Sequence, residues 1–378
     1  MPRKRSHVRR VCFVTGTRAE FGLMESTLRA IASHPKLDLQ IVATGMHLDR
    51  RHGRTLESIS HKIDAQVPWR AGMSTPIEVT RATGGAITKL AETFERLKID
   101  IVLIVGDRVE AFAAASAGHL SGKIVSHIHG GDRALGQIDD SLRHAITKLA
   151  HVHFAATKQS AARIAKLGEN KRRIHTVGAP GIDGIARRAT PSPSTLGRGE
   201  GFALLLLHPI DADDTLEYRR ANRILTSVRS LIPNVTIIHP NNDPGSRGIA
   251  RCWNAHARDP GITIHRSIDR PRFLGLLRDA AVLVGNSSSG IIEAASFGTP
   301  VIDVGPRQLG RERSENVTNV PYGKAPLLKA LRSVWRGGHP KRFLRRNVYG
   351  GNGAGQRIAN VLSSLPSPHS LTRKLIAY

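Results

Sequence analysis

The sequence predicts an α/β protein built from two tandem Rossmann-like domains with a cleft between them. Three observations carry this expectation. Short runs rich in Val and Ile recur along the chain, each ends in a glycine or polar turn, and amphipathic helical patterns lie between them, which is the signature of βαβ units around a parallel sheet. A polar, Pro/Gly/Ser-rich stretch without periodicity, residues 189–201, interrupts the series once. The chain has 378 residues, enough for two domains with full cores. The boundaries expected are 8–182 for the first domain, 183–200 for a linker, 201–363 for the second domain and 364–378 for a loose polar tail.

In the first domain, residues 10–17 read as a buried strand running into a glycine turn, with a helix from about Leu23 to Ser33. Further strands are expected at 37–44, 100–105, 123–128, 151–156 and 173–177, with helices at 78–98 and 109–119. After the glycine turn Gly130-Gly131, a helix follows whose apolar face would be Leu142, Ala145, Ile146 and Leu149. Asp140, Arg143, His144 and Thr147 share its other face by their spacing of three and four. In the second domain strands are expected at 202–207, 234–238, 261–265, 281–284 and 300–304, with helices at 213–230, 245–258, 270–278 and 290–297. A last helix is expected at 356–362. Ligands of open parallel sheets gather at the carboxyl ends of the strands. Those ends carry Thr15, Arg18, His47, Asp107, Arg108, His129 and Asp132.

Composition narrows the function classes. Lys plus Arg number 56 against 30 Asp plus Glu, a net charge of +26 that would attract any phosphorylated partner. Aromatic content is only 4% and no nucleic-acid motif is present, so nucleic acid is not the expected partner, and the basic stretch 332–346 reads as a solvated face. Two cysteines, Cys12 and Cys252, make neither a disulfide framework nor a zinc set and read as packing residues in a reducing compartment. No apolar run approaches the roughly 18 residues that span a membrane, and the basic N-terminus has no signal-peptide core. The expected location is the cytoplasm, with no membrane insertion.

The turn Val284-Gly-Asn-Ser-Ser-Ser-Gly-Ile-Ile-Glu293 ends a buried strand, offers three hydroxyls at Ser287, Ser288 and Ser289, passes Gly290 and starts a helix. Free N–H groups and the helix dipole there favour an anion, while Asn and Ser also serve as ordinary caps. Glu293 would accept hydrogen bonds from vicinal hydroxyls of a ribose. Gly16-Thr-Arg18-Ala-Glu20 is neither a G-x-G-x-x-G nor a P-loop, which argues against NAD enzymes and ATPases, and Arg18 offers a fork of donors suited to a diphosphate. Arg307, Arg311 and Arg313 follow in a loop expected after the last strand of the second domain. Candidate acids and bases are Asp107, Asp132, Asp140, His129, His144, His208 and His239. No zincin spacing or aspartate-rich loop accompanies them, so acid/base chemistry without metal or cofactor is expected.

Eight passages, in order, resemble the UDP-N-acetylglucosamine 2-epimerase family, and within it the hydrolysing branch that feeds synthesis of sialic and related nonulosonic acids. They are Val14-Thr-Gly-Thr-Arg-Ala-Glu-Phe-Gly-Leu23, Thr44-Gly-Met-His47, Gly106-Asp-Arg108, His127-Ile-His-Gly-Gly131, Ile138-Asp-Asp-Ser-Leu-Arg-His-Ala-Ile-Thr-Lys-Leu149, Gly285-Asn-Ser-Ser-Ser-Gly290, Phe297-Gly-Thr-Pro-Val-Ile302 and Gly305-Pro-Arg-Gln-Leu-Gly-Arg-Glu-Arg-Ser-Glu-Asn316. The resemblance implies a glycosyltransferase-B-like fold with the nucleotide held mainly by the second domain. Ser288, Ser289 and the helix start would take the diphosphate, with Arg18 and Arg311 or Arg313 across from it. Glu293 would hold the ribose, the loop containing Ser267 would meet the base, and His208 would lie beside diphosphate and sugar. The implied chemistry is proton abstraction at C2, anti loss of UDP to give a 2-acetamidoglycal, and water addition that frees the C2-epimeric sugar. Asp107, Asp132 and Asp140 are the implied acids and bases, with Arg143 and His144 holding them or the sugar. A homo-oligomer, dimer or tetramer, is expected.

One residue departs from the family pattern: where His-Gly-Gly-Glu is usual, this chain has His129-Gly-Gly-Asp132. The carboxylate loses one methylene of reach, about 1 Å, a displacement that costs on the order of a hundredfold unless the loop or the substrate compensates. A shifted loop, a different sugar such as a diacetamido-trideoxyhexose, and impaired turnover are all compatible with the sequence. So are two other function classes, a glycosyltransferase of the same architecture and a basic protein that binds nucleic acid or acidic membrane.

Overall fold

The computed structural model describes residues 8–48, 56, 59, 61–69, 76–133, 139–191, 201–240, 243–336 and 339–377. Part of the expected linker (192–200) and part of the turn before the acid-bearing helix (134–138) lie outside the described residues. The chain divides into two units. One comprises Met1–Arg133, Gln137–Asp183 and Tyr349–Tyr378, and the other contains Gly184–Val348.

The first unit is a doubly wound parallel sheet. In chain order it holds β1 (Arg9–Thr15), α1 (Arg18–Ala32), β2 (Leu37–Ala43), β3 (Ala65–Gln66), α2 (Pro76–Arg96), β4 (Ile101–Val105), α3 (Val109–Leu120), β5 (Ile124–Ile128), α4 (Asp139–Leu149), β6 (Val152–Ala155), α5 (Lys158–Lys166) and β7 (Ile174–Thr176). The strand order is β3-β2-β1-β4-β5-β6-β7 with every neighbour parallel. Every residue of β4 (Ile-Val-Leu-Ile-Val) and of β5 is buried, as expected for central strands covered on both faces. Strand order reverses direction between β1 and β4, so the loops after Thr15 and Val105 flank the crevice where open sheets bind ligands.

The second unit repeats the plan. It contains α6 (Ile185–Arg188), β8 (Ala203–Leu206), α7 (Asp214–Arg229), β9 (Val235–Ile238), α8 (Ser246–Ala255), β10 (Ile262–His265), α9 (Arg270–Asp279), β11 (Val282–Gly285), α10 (Ser288–Ile292), β12 (Val301–Val304), β13 (Val317–Val320), α11 (Lys324–Val334) and a two-stranded ribbon of β14 (Trp335–Arg336) and β15 (His339–Pro340). Its sheet order is β10-β9-β8-β11-β12-β13, again all parallel. The switch point falls between β8 and β11, at the loops that begin with Leu207-His208 and with Asn286-Ser287.

Several expectations need correction. Helix α1 begins at Arg18 and not near Leu23, because Thr17 caps it: its hydroxyl accepts the Glu20 N–H at 3.2 Å. The helix expected over 290–297 is two pieces, five residues of α10 and a 3-10 turn, Ala294–Phe297. The loop carrying Arg307, Arg311 and Arg313 does not follow the last strand, since β13 comes after it. The C-terminal region does not close the second unit. From Tyr349 onward it belongs to the first, where α12 (Ala354–Ser364) packs along α1, and Ile358, Ala359 and Leu362 join the core of β1 and α1. Asp183 fixes this return by accepting the Ala354 and Gly355 N–H groups at 3.0 and 2.7 Å.

The expected loose tail is also anchored, partly through α13 (Pro368–Leu371), where Leu371 is buried. Beyond it the Lys374 ammonium donates to the carbonyls of Lys148 and Ala150 at 2.6 and 2.7 Å and pairs with Glu169 at 2.7 Å. The residues expected to link the domains begin the second unit, where Ala189 and Thr190 hydrogen-bond Arg278 and Pro271.

Candidate active site

Helix α4 turns the face expected to carry Asp140, Arg143, His144 and Thr147 into the protein at Arg143 and Thr147. Its buried residues are Arg143, Ile146 and Thr147, whereas Leu142, Ala145 and Leu149 are only half-buried. A guanidinium 1% exposed must have partners, and those of Arg143 include the Asp107 carboxylate, the Asp140 carboxylate at 2.6 Å and the Asp132 main-chain carbonyl at 2.9 Å. One buried side chain thereby gathers the loop after β4, the loop after β5 and the first turn of α4. The side chains of Asp107 and Asp140 remain about a quarter and a fifth exposed, at 24% and 20%. His144 Nε2 lies 3.5 Å from Asp140 Oδ2, and its Nδ1 is buried without a hydrogen-bond partner among the described residues.

The loop after β5 is tightly specified. Gly131 has φ +74°, and a Cβ there would lie 2.2 Å from the Ser160 carbonyl oxygen, so only glycine fits. His129 adopts the left-handed region at φ +65°, uncommon for a residue with a side chain. Its Nδ1 is 2.9 Å from Asp132 Oδ2, while Asp132 Oδ1 accepts from Ser160 Oγ at 2.7 Å. Neighbouring His127 is a different case. It is fully buried, bonded to the Gly106 carbonyl at 2.8 Å and to Thr147, and burial pushes it down to about 3, so it is a neutral structural residue.

At the carboxyl ends of β1 and β2, Arg18 opens α1 half-buried and His47 is buried with its Nε2 3.1 Å from Thr15 Oγ1. Burial lowers His47 to about 4. The sequence reading passed over two acids here. Glu20 accepts from the Gly16 N–H at 2.7 Å and from Thr15 Oγ1 at 3.2 Å, and burial together with the nearby Glu110 charge pushes it up to about 7. Glu110 is itself buried and paired with Arg108 at 3.2 Å. The signal for Glu20 was in the sequence, because Thr17-x-x-Glu20 is a capping-box pattern. Ser160 was also missed, and nothing local marks it.

In the second unit, the Ser287 hydroxyl caps α10 by accepting the Ser289 N–H, and Ser288 and Ser289 are half-buried beside it. Five residues give only a small dipole, so the anion-binding capacity of this turn rests on its hydroxyls, N–H groups and nearby arginines. Gly290 has a packing reason: a Cβ would meet Leu283 at 2.6 Å and Val301 at 2.9 Å. Asn286 pins the main chain of His208 with two hydrogen bonds, 2.7 and 2.8 Å, and burial and Arg307 hold His208 neutral, down at about 3.

Glu293 is 1% exposed. One of its oxygens takes Arg270, and the other, Oε2, is buried without a partner among the described residues. Of the loop arginines, Arg307 donates to the Asn286 carbonyl at 3.2 Å, and Arg311 is half-buried. Arg313 is spent on Asp303 and the Gln308 carbonyl, at 3.1 and 3.0 Å, which braces the loop. Ser267 is exposed, in the loop after β10, and His239 stands at the end of β9. Both cysteines are buried free thiols.

Among the described residues, no three His, Cys, Asp or Glu side chains cluster so as to hold a metal ion, and no helix is long and apolar enough to cross a membrane.

A family model described as UDP-N-acetylglucosamine 2-epimerase matches residues 29–363. The UDP-N,N'-diacetylbacillosamine 2-epimerase (hydrolyzing) of Legionella pneumophila is 35% identical over 98% of this chain and 100% of its own length. The UDP-N-acetylglucosamine 2-epimerase of Neisseria meningitidis is 33% identical over 86% of this chain and 88% of its own. The polysialic acid biosynthesis protein P7 of Escherichia coli is 27% identical over 86% of this chain and 85% of its own. Among solved structures, the UDP-GlcNAc 2-epimerase from Neisseria meningitidis bound to UDP-GlcNAc superposes with a TM-score of 0.79 at 18% identity, covering 93% of this chain and 99% of that one. The expected fold, of glycosyltransferase-B type, is thereby borne out.

Proposed function

The chain belongs to the UDP-N-acetylglucosamine 2-epimerase family and is a hydrolysing nucleotide-sugar 2-epimerase, and we propose that its substrate is UDP-N-acetylglucosamine or the corresponding UDP-2,4-diacetamido sugar. The products are UDP and the free sugar inverted at C2. In the first step a base removes the C2 proton, the C–H pair becomes the C1–C2 double bond, and the C1–O bond breaks so that UDP leaves with its electrons. In the second step water supplies a hydroxyl to C1 of the 2-acetamidoglycal and a proton reaches C2 on the opposite face.

The observation that carries this reading is the gathering of Asp107, Asp140 and the Asp132 loop on the single buried guanidinium of Arg143. Two proton transfers at one carbon and one activation of water need several positioned acid/base groups, and a shared fixed partner keeps them in register. The second unit supplies what the leaving group needs. Hydroxyls and N–H groups at Ser288 and Ser289, together with Arg307 and Arg311, suit a diphosphate whose charge grows as the C1–O bond breaks. The unpartnered Oε2 of Glu293 suits a ribose hydroxyl, which would satisfy it. His208, neutral, is assigned to the sugar-diphosphate junction and Ser267 to the base. A cytoplasmic setting and a homo-oligomer, dimer or tetramer, belong to the same reading.

The test is incubation of the protein with each UDP sugar in deuterated water, followed by proton NMR and mass analysis. UDP release with one deuterium at C2 of the free epimer is expected from at least one of them. Neither UDP release nor C2 deuterium with either sugar would refute the reading. Release that requires an acceptor and retains the C2 proton would point to a glycosyltransferase instead.

A further inference from the structure

We infer that His129, and not the carboxylate of Asp132, exchanges a proton with the sugar at this corner of the site, and that Asp132 and Ser160 are positioning residues for its imidazole. The inference rests on the epimerase reading above and deepens it.

The geometry around Asp132 is that of an orienting group. Its side chain is 4% exposed, and both oxygens are taken: Oδ1 by the Ser160 hydroxyl at 2.7 Å, Oδ2 by His129 Nδ1 at 2.9 Å. Ser160 is fixed in its turn, since Thr157 Oγ1 accepts its N–H at 3.0 Å and donates to its Oγ at 3.0 Å. Arg163 holds the loop from behind by donating to the Gly131 carbonyl at 2.7 Å. A carboxylate bound on both sides inside a rigid loop has little freedom to reach a carbon atom.

His129 has what Asp132 lacks. Its side chain is the more exposed of the two, 12% against 4%. A carboxylate accepting at Nδ1 assigns the neutral ring's proton to that nitrogen, which leaves the Nε2 lone pair as the acid/base atom and stabilises the imidazolium once Nε2 takes a proton. The left-handed backbone at φ +65° is an unfavourable conformation that the fold maintains at this one histidine, as strained residues at reactive positions are maintained. The series Ser160, Asp132, His129 therefore has the order hydroxyl, carboxylate, imidazole. It also accounts for the aspartate: one methylene shorter than the family's usual glutamate, it fits as an orienter because the imidazole supplies the reach. The proton balance is unchanged: an Nε2 that takes the C2 proton in the first step gives it to solvent afterwards, and an Nε2 that protonates C2 in the second step has drawn its proton from solvent.

The test uses the full chain and the UDP sugar that it turns over. His129→Gly suits the positive φ and removes the ring, His129→Gln keeps bulk without basicity, and Asp132→Asn keeps shape while removing the charge that fixes the tautomer. Each is expected to lower kcat by 10²- to 10⁴-fold, with UDP binding within threefold of the unaltered chain as the check on folding. The His129→Gly/Asp132→Asn double variant is expected to be no slower than the slower single variant, because the residues act as one unit, and added imidazole is expected to raise turnover of His129→Gly at least tenfold. Losses that multiply in the double variant, or His129 variants within tenfold of the unaltered chain, would overturn the inference while leaving the epimerase reading intact. Loss of the epimerase reading would show instead in the unaltered chain, as absence of UDP release.

Discussion

Replacing Glu20 by Gln should change how stability depends on pH, and the size of the effect follows from the carboxyl's surroundings. Glu20 is 8% exposed, and burial first, then the neighbouring Glu110, pushes it from 4.5 up to about 7, against the Gly16 and Thr15 hydrogen bonds that favour its charged form. Between those pH values the unfolded chain has released the proton and the folded chain still holds it. The folded state then binds more protons, so stability is full below pH 4.5 and falls as pH rises through about 7. The interval is about two and a half pH units at about 1.4 kcal/mol each, or about 3 kcal/mol in all, of which about 2 kcal/mol falls between pH 5.5 and 8.

The buried histidines slope the other way. His47, His127 and His208 are held down at about 4, 3 and 3, so their contribution is present above 6.5 and lost as pH falls. They are common to both proteins and cancel in the difference, provided the comparison stays above about pH 5.5, where His47 is neutral when folded. Urea unfolding of the two proteins at matched ionic strength gives that difference directly. The Glu20→Gln variant should gain on the unaltered chain by about 2 kcal/mol from pH 5.5 to 8. Parallel profiles, within about 0.5 kcal/mol, would show that Glu20 is ionised or hydrated in the folded protein and would refute the reasoning.

Three further outcomes are expected. Arg143→Lys keeps the charge but loses the fork that reaches Asp107, Asp140 and the Asp132 carbonyl together, so kcat should fall by about a hundredfold or more while UDP affinity, measured by calorimetry, changes less than threefold. Glu293→Gln removes the charged acceptor assigned to the ribose and should weaken UDP binding about tenfold in the same measurement, about 1.4 kcal/mol, whereas an unchanged Kd would remove Glu293 from the nucleotide site. Lys374→Met uncaps the carbonyl end of α4 and removes one of the cations beside Glu169. A stability loss of about 1–3 kcal/mol, seen as a lower Tm, is expected.

The strands were legible because each is a short, mostly apolar run stopped by a glycine or a polar turn, and all eleven expected strands occupy the places that the sequence assigned them. The strands that went unseen are those with little apolar signal. β3 is Ala65–Gln66 alone, and of β13 only Val320 is buried. The burial on helix α4 was hidden for a different reason. Periodicity reports which residues share a face, but the burial of Arg143 depends on Asp107, 36 residues earlier in the chain, and no local pattern encodes that partner. Gly290 shows a further demand that no local pattern encodes, because the side chains of two neighbouring strands, Leu283 and Val301, exclude a Cβ there. The candidate acids could be named from the sequence because strand ends are predictable. Their grouping on Arg143, and the engagement of both Asp132 oxygens, could not.

The return of the C-terminal segment alters what the acid-bearing unit is. Ile358, Ala359, Leu362 and Leu371 fill the same core as Phe13, Met24 and Leu28, so the first unit has no complete hydrophobic core until residues more than 300 positions downstream arrive. Asp183 and Lys374 then tie that segment at two points, the start of α12 and the carbonyl end of α4. Such long-range closure is slow to form, because residues 184–348 of the chain lie between the two parts of the first unit. It also gives the last residues of the chain a direct hold on the helix that carries Asp140, Arg143 and His144. Because Arg143 must stay within hydrogen-bond distance of Asp107 and of the Asp132 carbonyl, which lie on two other loops, a shift of α4 by about 1 Å would weaken both contacts together. The acid-bearing helix proposed for catalysis thus depends on the C-terminal segment for its position.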